Sequence, residues 1–116
     1  MIIANWKSNI IDINNWYTNF NNFYKPMSDS AIIGVAPPTI YLDKLVTNLG
    51  EGDSEIKLGV QDVDHSYGSR TGAISVDMII EIGCKFAIIG HSERREIFNE
   101  DNDLIKEKLK SLNKRV

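Results

Sequence analysis

One cysteine among 116 residues, Cys84, leaves no partner for an internal disulfide, so the chain is not stapled in the manner of a small secreted domain. Its place between Gly83 and an apolar run marks it as a small packed thiol rather than a nucleophile. Long apolar runs are missing as well: none approaches the roughly 20 residues that a membrane-spanning helix needs, and no basic stretch followed by an apolar one opens the chain. We therefore expect a cytoplasmic protein. Excess basic charge is also lacking, because 13 Lys and Arg against 16 Asp and Glu give a net charge of -3. That balance argues against a nucleic-acid partner, which selects a basic stripe. Basic residues are dispersed until Lys106 to Arg115, where they alternate with apolar ones as on a solvated helix face.

What is present is ordinary for a globular fold. Apolar residues make up 42% and charged residues 25%, enough for one core and one domain at this length. Short apolar runs alternate with helical patterns. Met1 to Ala4 reads as a buried strand, and from Asp12 to Tyr24 the residues Ile13, Trp16, Tyr17, Phe20, Phe23 and Tyr24 recur at helical spacing until Pro26. Ala31 to Ala36 reads as a second strand, ended by Pro37-Pro38, which have no N–H to give a ladder. Thr39 is placed to cap a helix whose face is Ile40, Tyr41, Leu42, Leu45, Val46 and Leu49, ending at Gly50 and Gly52. A third strand spans Ile56 to Val60, followed by a long polar loop from Asp62 to Thr71. Ser75 caps a third helix running to Ile82, and Gly83 stops it. A fourth strand spans Phe86 to Ile89. After a turn through Phe98 comes a last helix with an acidic start at Glu100 to Asp103, a buried face of Leu104, Ile105, Leu109 and Leu112, and basic later turns from Lys106 to Lys110.

The chain is thus (βα) repeated four times, with a parallel sheet because each strand is near-continuously apolar and each crossover carries a helix. Periodicity alone does not separate a barrel half from a doubly wound sheet. In either case the carboxyl ends of the strands form the face where chemistry gathers. Two such ends carry reactive side chains. After Phe86-Ala87-Ile88-Ile89 comes Gly90-His91-Ser92-Glu93-Arg94-Arg95, with His91 and Ser92 at the start of a helical turn, where free backbone N–H groups disfavour imidazolium. After the first strand come Asn5 and Lys7, two apart and so on one face if strand geometry persists, with Trp6 turned the other way as a core anchor.

GHSERR at residues 90–95 resembles the histidine-bearing strand exit of the triosephosphate isomerase family. Ala4-Asn5-Trp6-Lys7 is similar to that family's first-strand motif, Val35-Ala36-Pro37-Pro38-Thr39 to its second-strand exit, Gly59-Val60-Gln61-Asp62 to its third strand, and Thr71-Gly72-Ala73-Ile74-Ser75 to the loop that follows. All stand in the family's order. The resemblance implies an α/β fold, the N-terminal half of a TIM (β/α)8 barrel. Residues 1–116 are then a partial barrel domain that stops near the start of the fifth strand.

It also implies an activity, the interconversion of dihydroxyacetone phosphate and glyceraldehyde 3-phosphate in glycolysis and gluconeogenesis, with no cofactor and no metal. Such a reaction removes a proton from carbon beside a carbonyl while an electrophile stabilises the enediolate oxygen. By resemblance His91 is that electrophile, Asn5 and Lys7 bind substrate, and Lys7 also acts catalytically on developing negative charge. Glu93 pairs with Lys7, Ser92 supports the turn, and Thr71 and Gly72 form the loop tip through which family members pair as homodimers. Ala73 and Ser8 depart from the family, standing where an acid and a methionine are common. The family's glutamate base follows the sixth strand, so the 116 residues alone are expected to be inactive. Asp62, Asp64, Glu93 and Glu96 lie near strand ends, and ion pairing accounts for them. Two other readings stay open: another sugar-phosphate barrel enzyme, and a non-catalytic half-barrel that associates with itself.

Overall fold

The computed structural model describes residues 1–25, 31–49 and 55–115. Four strands, β1 (Ile2–Asn5), β2 (Ile33–Ala36), β3 (Ile56–Val60) and β4 (Phe86–Ala87), form one parallel sheet in the order β1-β2-β3-β4. Ile2 stands opposite Ile33, Ile33 opposite Ile56, and Gly59 opposite Phe86. Each strand adds to the same side of the one before. A doubly wound sheet reverses direction at a switch point, so this unreversed order is that of a barrel segment. With the right-handed crossovers that such connections take, it puts the helices on one face.

Those helices are α1 (Ile13–Phe23), α2 (Leu42–Leu49), α3 (Val76–Glu81), α4 (Ser92–Ile97) and α5 (Asn102–Asn113). Acidic or hydroxyl side chains cap the starts of α1, α3 and α5. Asp12 accepts from the Asn15 N–H at 3.0 Å, Ser75 from Met78 at 3.4 Å, and Asp101 from Leu104 at 2.9 Å. Their apolar faces meet strand residues in one core built on Val35, Leu42, Leu45, Leu58, Val60, Val63, Val76 and Ile79. Along α1 the rings of Trp16, Phe20 and Tyr24 stack at four-residue intervals, and Trp6 meets Trp16 edge-on at 4.9 Å. Trp6 is the anchor its alternation suggests.

Several expectations need correction. β1 is not buried: Ile2 is 61% exposed, because an edge strand has only β2 beside it. β4 ends at Ala87 rather than Ile89; the Ile88 N–H still reaches the Val60 carbonyl, but β3 stops there and Gly90, at φ +69°, turns the chain away. Thr39 caps no helix, since the chain enters α2 through a 3-10 turn at Thr39–Tyr41 that leaves Ile40 outside. Phe23 likewise faces outward from α1. In α5 the buried positions are Ile105, Lys108 and Ser111, whereas Leu109 is 46% exposed. The proposed helix stops at Pro26, Gly50 and Gly52 lie outside the described residues.

One packing feature shapes the open face of the sheet. The Phe86 ring lies across Gly59 and Gly34 next to Ile3, and a Cβ on Gly59 would come within 2.4 Å of that ring. Two glycines on neighbouring strands thus make room for an aromatic on the next.

Candidate active site

Asn5, Lys7, His91 and Glu93 line a single cleft of about 440 Å³ at the carboxyl ends of β1 and β4, together with Ser8, Gln61 and Asp62. The route by which Asn5 and Lys7 come together differs from strand alternation. Lys7 lies beyond β1 with φ +53°, a left-handed conformation that costs a non-glycine residue about 1–2 kcal/mol. Two side chains hold it there. The Asn5 amide oxygen accepts the Lys7 N–H at 3.0 Å, and Gln61 Nε2 donates to the Lys7 carbonyl at 2.8 Å. So pinned, Lys7 extends its ammonium to Glu93, 2.8 Å from Oε1.

That contact decides the state of Glu93. The hydrogen bond from Lys7 holds its carboxyl below the usual glutamate value, outweighing the smaller opposing effect of desolvation. The pair is half-exposed and therefore screened, so its consequence is orientation more than stability.

His91 is the N-cap of α4. Its Nδ1 accepts the Glu93 N–H at 3.1 Å, an unusual use of imidazole where Ser or Asp is common. Nδ1 also stands 3.7 Å from Glu93 Oε2, which as an ion pair would require a proton on Nδ1. The backbone bond is shorter and requires a lone pair there, so it decides the tautomer: the neutral ring carries its proton on Nε2. His91 can then donate from Nε2 to an oxygen in the cleft. Gly90 permits the approach, since its φ of +69° disfavours any side chain and a Cβ would meet Ile105 at 3.3 Å.

From the cleft wall inward runs an ionic cluster, its inner half buried, that the sequence does not announce. Lys108 reaches inward from α5, only 3% exposed, to Asp62 at 2.7 Å and to Glu100. Arg94 of α4 joins the same two acids, at 3.2 Å from Asp62 and 2.9 Å from Glu100. Burial pushes the Glu100 carboxyl up, but hydrogen bonds from Lys108 and Arg94 outweigh it and the net direction is down. Two acids and two bases thus bind the exit of β3 to the helices after β4. Arg95 ties the same turn further, through the Gly90 carbonyl and Asn102. Lys108 was expected on a solvated face; its spacing from Ile105 and Ser111 was the available signal.

Other expected residues lie apart from the cleft. Ser92 is the exposed first residue of α4 and does not line it. Thr71 and Gly72 form an exposed turn in the loop after β3, with Gly72 at φ +82°. That loop is braced internally: Arg70 grips Asp64 through two hydrogen bonds of 2.6 and 3.1 Å, which hold the Asp64 carboxyl below its ordinary value, and the Asp64 N–H reaches the Ile74 carbonyl at 2.8 Å. Cys84 is half-buried, its thiol pushed up to about 11 by desolvation, as an unreactive packed cysteine should be. Among the described residues no group of three or more His, Cys, Asp or Glu is arranged to hold a metal ion.

Four βα units in unreversed order, with a lysine, a glutamate and a histidine converging on one cleft at the carboxyl ends of the strands, place the chain in the (βα)-barrel class. Residues 1–115 match the family model for triosephosphate isomerase, and the chain belongs to that family. It is 35% identical to the triosephosphate isomerase of Shewanella amazonensis over 98% of its length, 39% identical to that of Baumannia cicadellinicola over 97%, and 37% identical to that of Buchnera aphidicola over 97%. It spans about half the length of these relatives, covering 46%, 44% and 45% of them respectively.

Proposed function

We propose that these residues supply the electrophilic and phosphate-attracting part of a triosephosphate isomerase site. The observation that carries this reading is the convergence of Lys7 Nζ and the His91 ring on one cleft, each oriented through Glu93. In the reaction a base removes a proton from the carbon beside the substrate carbonyl. His91 Nε2–H donates to the oxygen on which negative charge develops, and it does so from a position already set by the turn. Lys7 attracts the phosphate and offsets the same growing charge, while the Asn5 amide NH2 donates to substrate. By the family's pattern the base is a glutamate that follows a sixth strand, outside the residues that match here. Candidates nearer at hand are otherwise engaged, since Asp62, Asp64 and Glu93 stand in ion pairs with Lys108, Arg70 and Lys7. Glu96 does not line the cleft.

In this reading Ser92 supports the turn that carries His91, Thr71 and Gly72 meet a second copy of the chain in a homodimer, and the enzyme works in the cytoplasm without a cofactor. Among the described residues no helix is long and apolar enough to cross a membrane.

To test the assignment, residues 1–116 replace the matching segment of the Buchnera relative, and His91→Gln and Lys7→Ala are made in that chimera. We expect each to reduce kcat/KM by about 100-fold or more, His91→Gln through kcat and Lys7→Ala through both kcat and KM. Values within a few-fold of the unsubstituted chimera would refute the roles. Sedimentation of the same chimera reads the dimer, and a monomer would remove Thr71 and Gly72 from any interface. A non-catalytic half-barrel is favoured by one observation, the exposure of Met1, Ile2, Ile3 and Ile32. A chimera that folds yet stays inactive is the outcome that reading predicts.

A further inference from the structure

We infer that Gln61 is a positioning residue for Lys7, acting through the main chain at the exits of three strands. Its carboxamide nitrogen lies 2.8 Å from the Lys7 carbonyl and 2.9 Å from the Ala36 carbonyl. Gln61 itself follows β3, Ala36 ends β2, and Lys7 follows β1, so one NH2 group gives a hydrogen to each of two neighbouring strand exits. The Ala36 carbonyl also accepts the Trp6 N–H at 3.0 Å, which ties the residue before Lys7 to the same point.

The geometry demands an amide. Both partners are carbonyl oxygens, which only accept, and an NH2 has two hydrogens for them. A carboxylate of the same shape would bring negative charge against two oxygens, and a protonated carboxyl could satisfy only one. Lys7 needs this grip because a left-handed lysine has no intrinsic preference for its conformation. With its N–H held by Asn5 and its carbonyl by Gln61, the backbone directs the side chain toward Glu93; with one hold gone, it can relax to negative φ and swing the ammonium out of the cleft. Gln61 lines the cleft, but its amide nitrogen faces the backbone, so its effect passes through Lys7.

The consequence for turnover rests on the isomerase reading, and two readouts keep the inferences apart. The first uses the 116-residue chain and no substrate: the strong intraresidue HN–Hα NOE that positive φ produces is followed at Lys7 in the parent chain, Gln61→Ala and Gln61→Glu. We expect it to be present in the parent and lost in both variants near neutral pH, with partial return in Gln61→Glu alone as acid restores one O–H donor. The second is kinetics in the Buchnera chimera, where both variants should lower kcat/KM about 10- to 100-fold at unchanged folded content, the scale of a displacement of about 1 Å in a reacting group. A parent-like NOE in both variants, or kcat/KM within threefold of the parent chimera with only the melting temperature lowered, would overturn the proposal and leave Gln61 a structural residue. If the parent chimera is itself inactive, the isomerase reading fails while the NOE still decides Gln61.

Discussion

At the scale of single residues, the charges around the cleft owe their states to specific partners rather than to depth. Glu93 is held below the usual glutamate value by Lys7, and this has a definite sign. A lowered folded value means that the folded chain binds the proton less tightly than the unfolded one. The contribution is therefore full above the ordinary glutamate value of about 4.3 and fades as pH falls through the lower folded value. Carboxyl carbon NMR of Glu93 should show a midpoint below the ordinary glutamate value, returning toward it in Lys7→Ala; an unmoved midpoint would mean that the pair is not formed in solution. That His91, Glu93 and Lys7 share one cleft was legible in the sequence because each follows a short apolar strand within a distinctive run. Gln61 was not, since a lone glutamine after a strand has no chemistry of its own and its worth lies in two carbonyls far off in the chain. Nor does anything in Asn-Trp-Lys announce a left-handed lysine.

Elements were legible where local chemistry and burial agree. Asp12, Ser75 and Gly83 mark ends that the structure keeps, because caps and left-handed glycines act within a few residues. The reading failed where tertiary contacts overrule hydropathy. In α5, hydropathy favours burying Leu109 and exposing Lys108, yet the structure does the reverse because Glu100 and Asp62 wait opposite Lys108. A prediction follows from that inversion. Lys108→Met leaves Glu100 buried with Arg94 alone and should destabilise the chain by about 3 kcal/mol, whereas Lys108→Met combined with Glu100→Leu should recover part of the loss. Urea unfolding measures both. A single variant as stable as the parent would show that water, not Lys108, satisfies Glu100. Edge position explains the misreading of β1, which has the composition of a buried strand but a neighbour on one side only.

For the whole molecule, the strand order β1-β2-β3-β4 carries what composition could not, since a barrel segment and a doubly wound sheet share the same alternation of strand and helix. The order brings the exits of β1 and β4 to one cleft, and the family match extends over residues 1–115 while covering under half of each relative. On this view His91 and Lys7 offer an electrophile and a cation to the cleft, while the two acids among the described residues that line it, Asp62 and Glu93, are engaged in ion pairs. The direct test is a coupled dehydrogenase assay run side by side on the purified 116-residue chain and on the Buchnera chimera. The chain alone should give no turnover above buffer, while the chimera isomerises triose phosphate and loses that activity with His91→Gln. Turnover by the 116 residues alone that disappears with His91→Gln, or a folded chimera without activity, would contradict it.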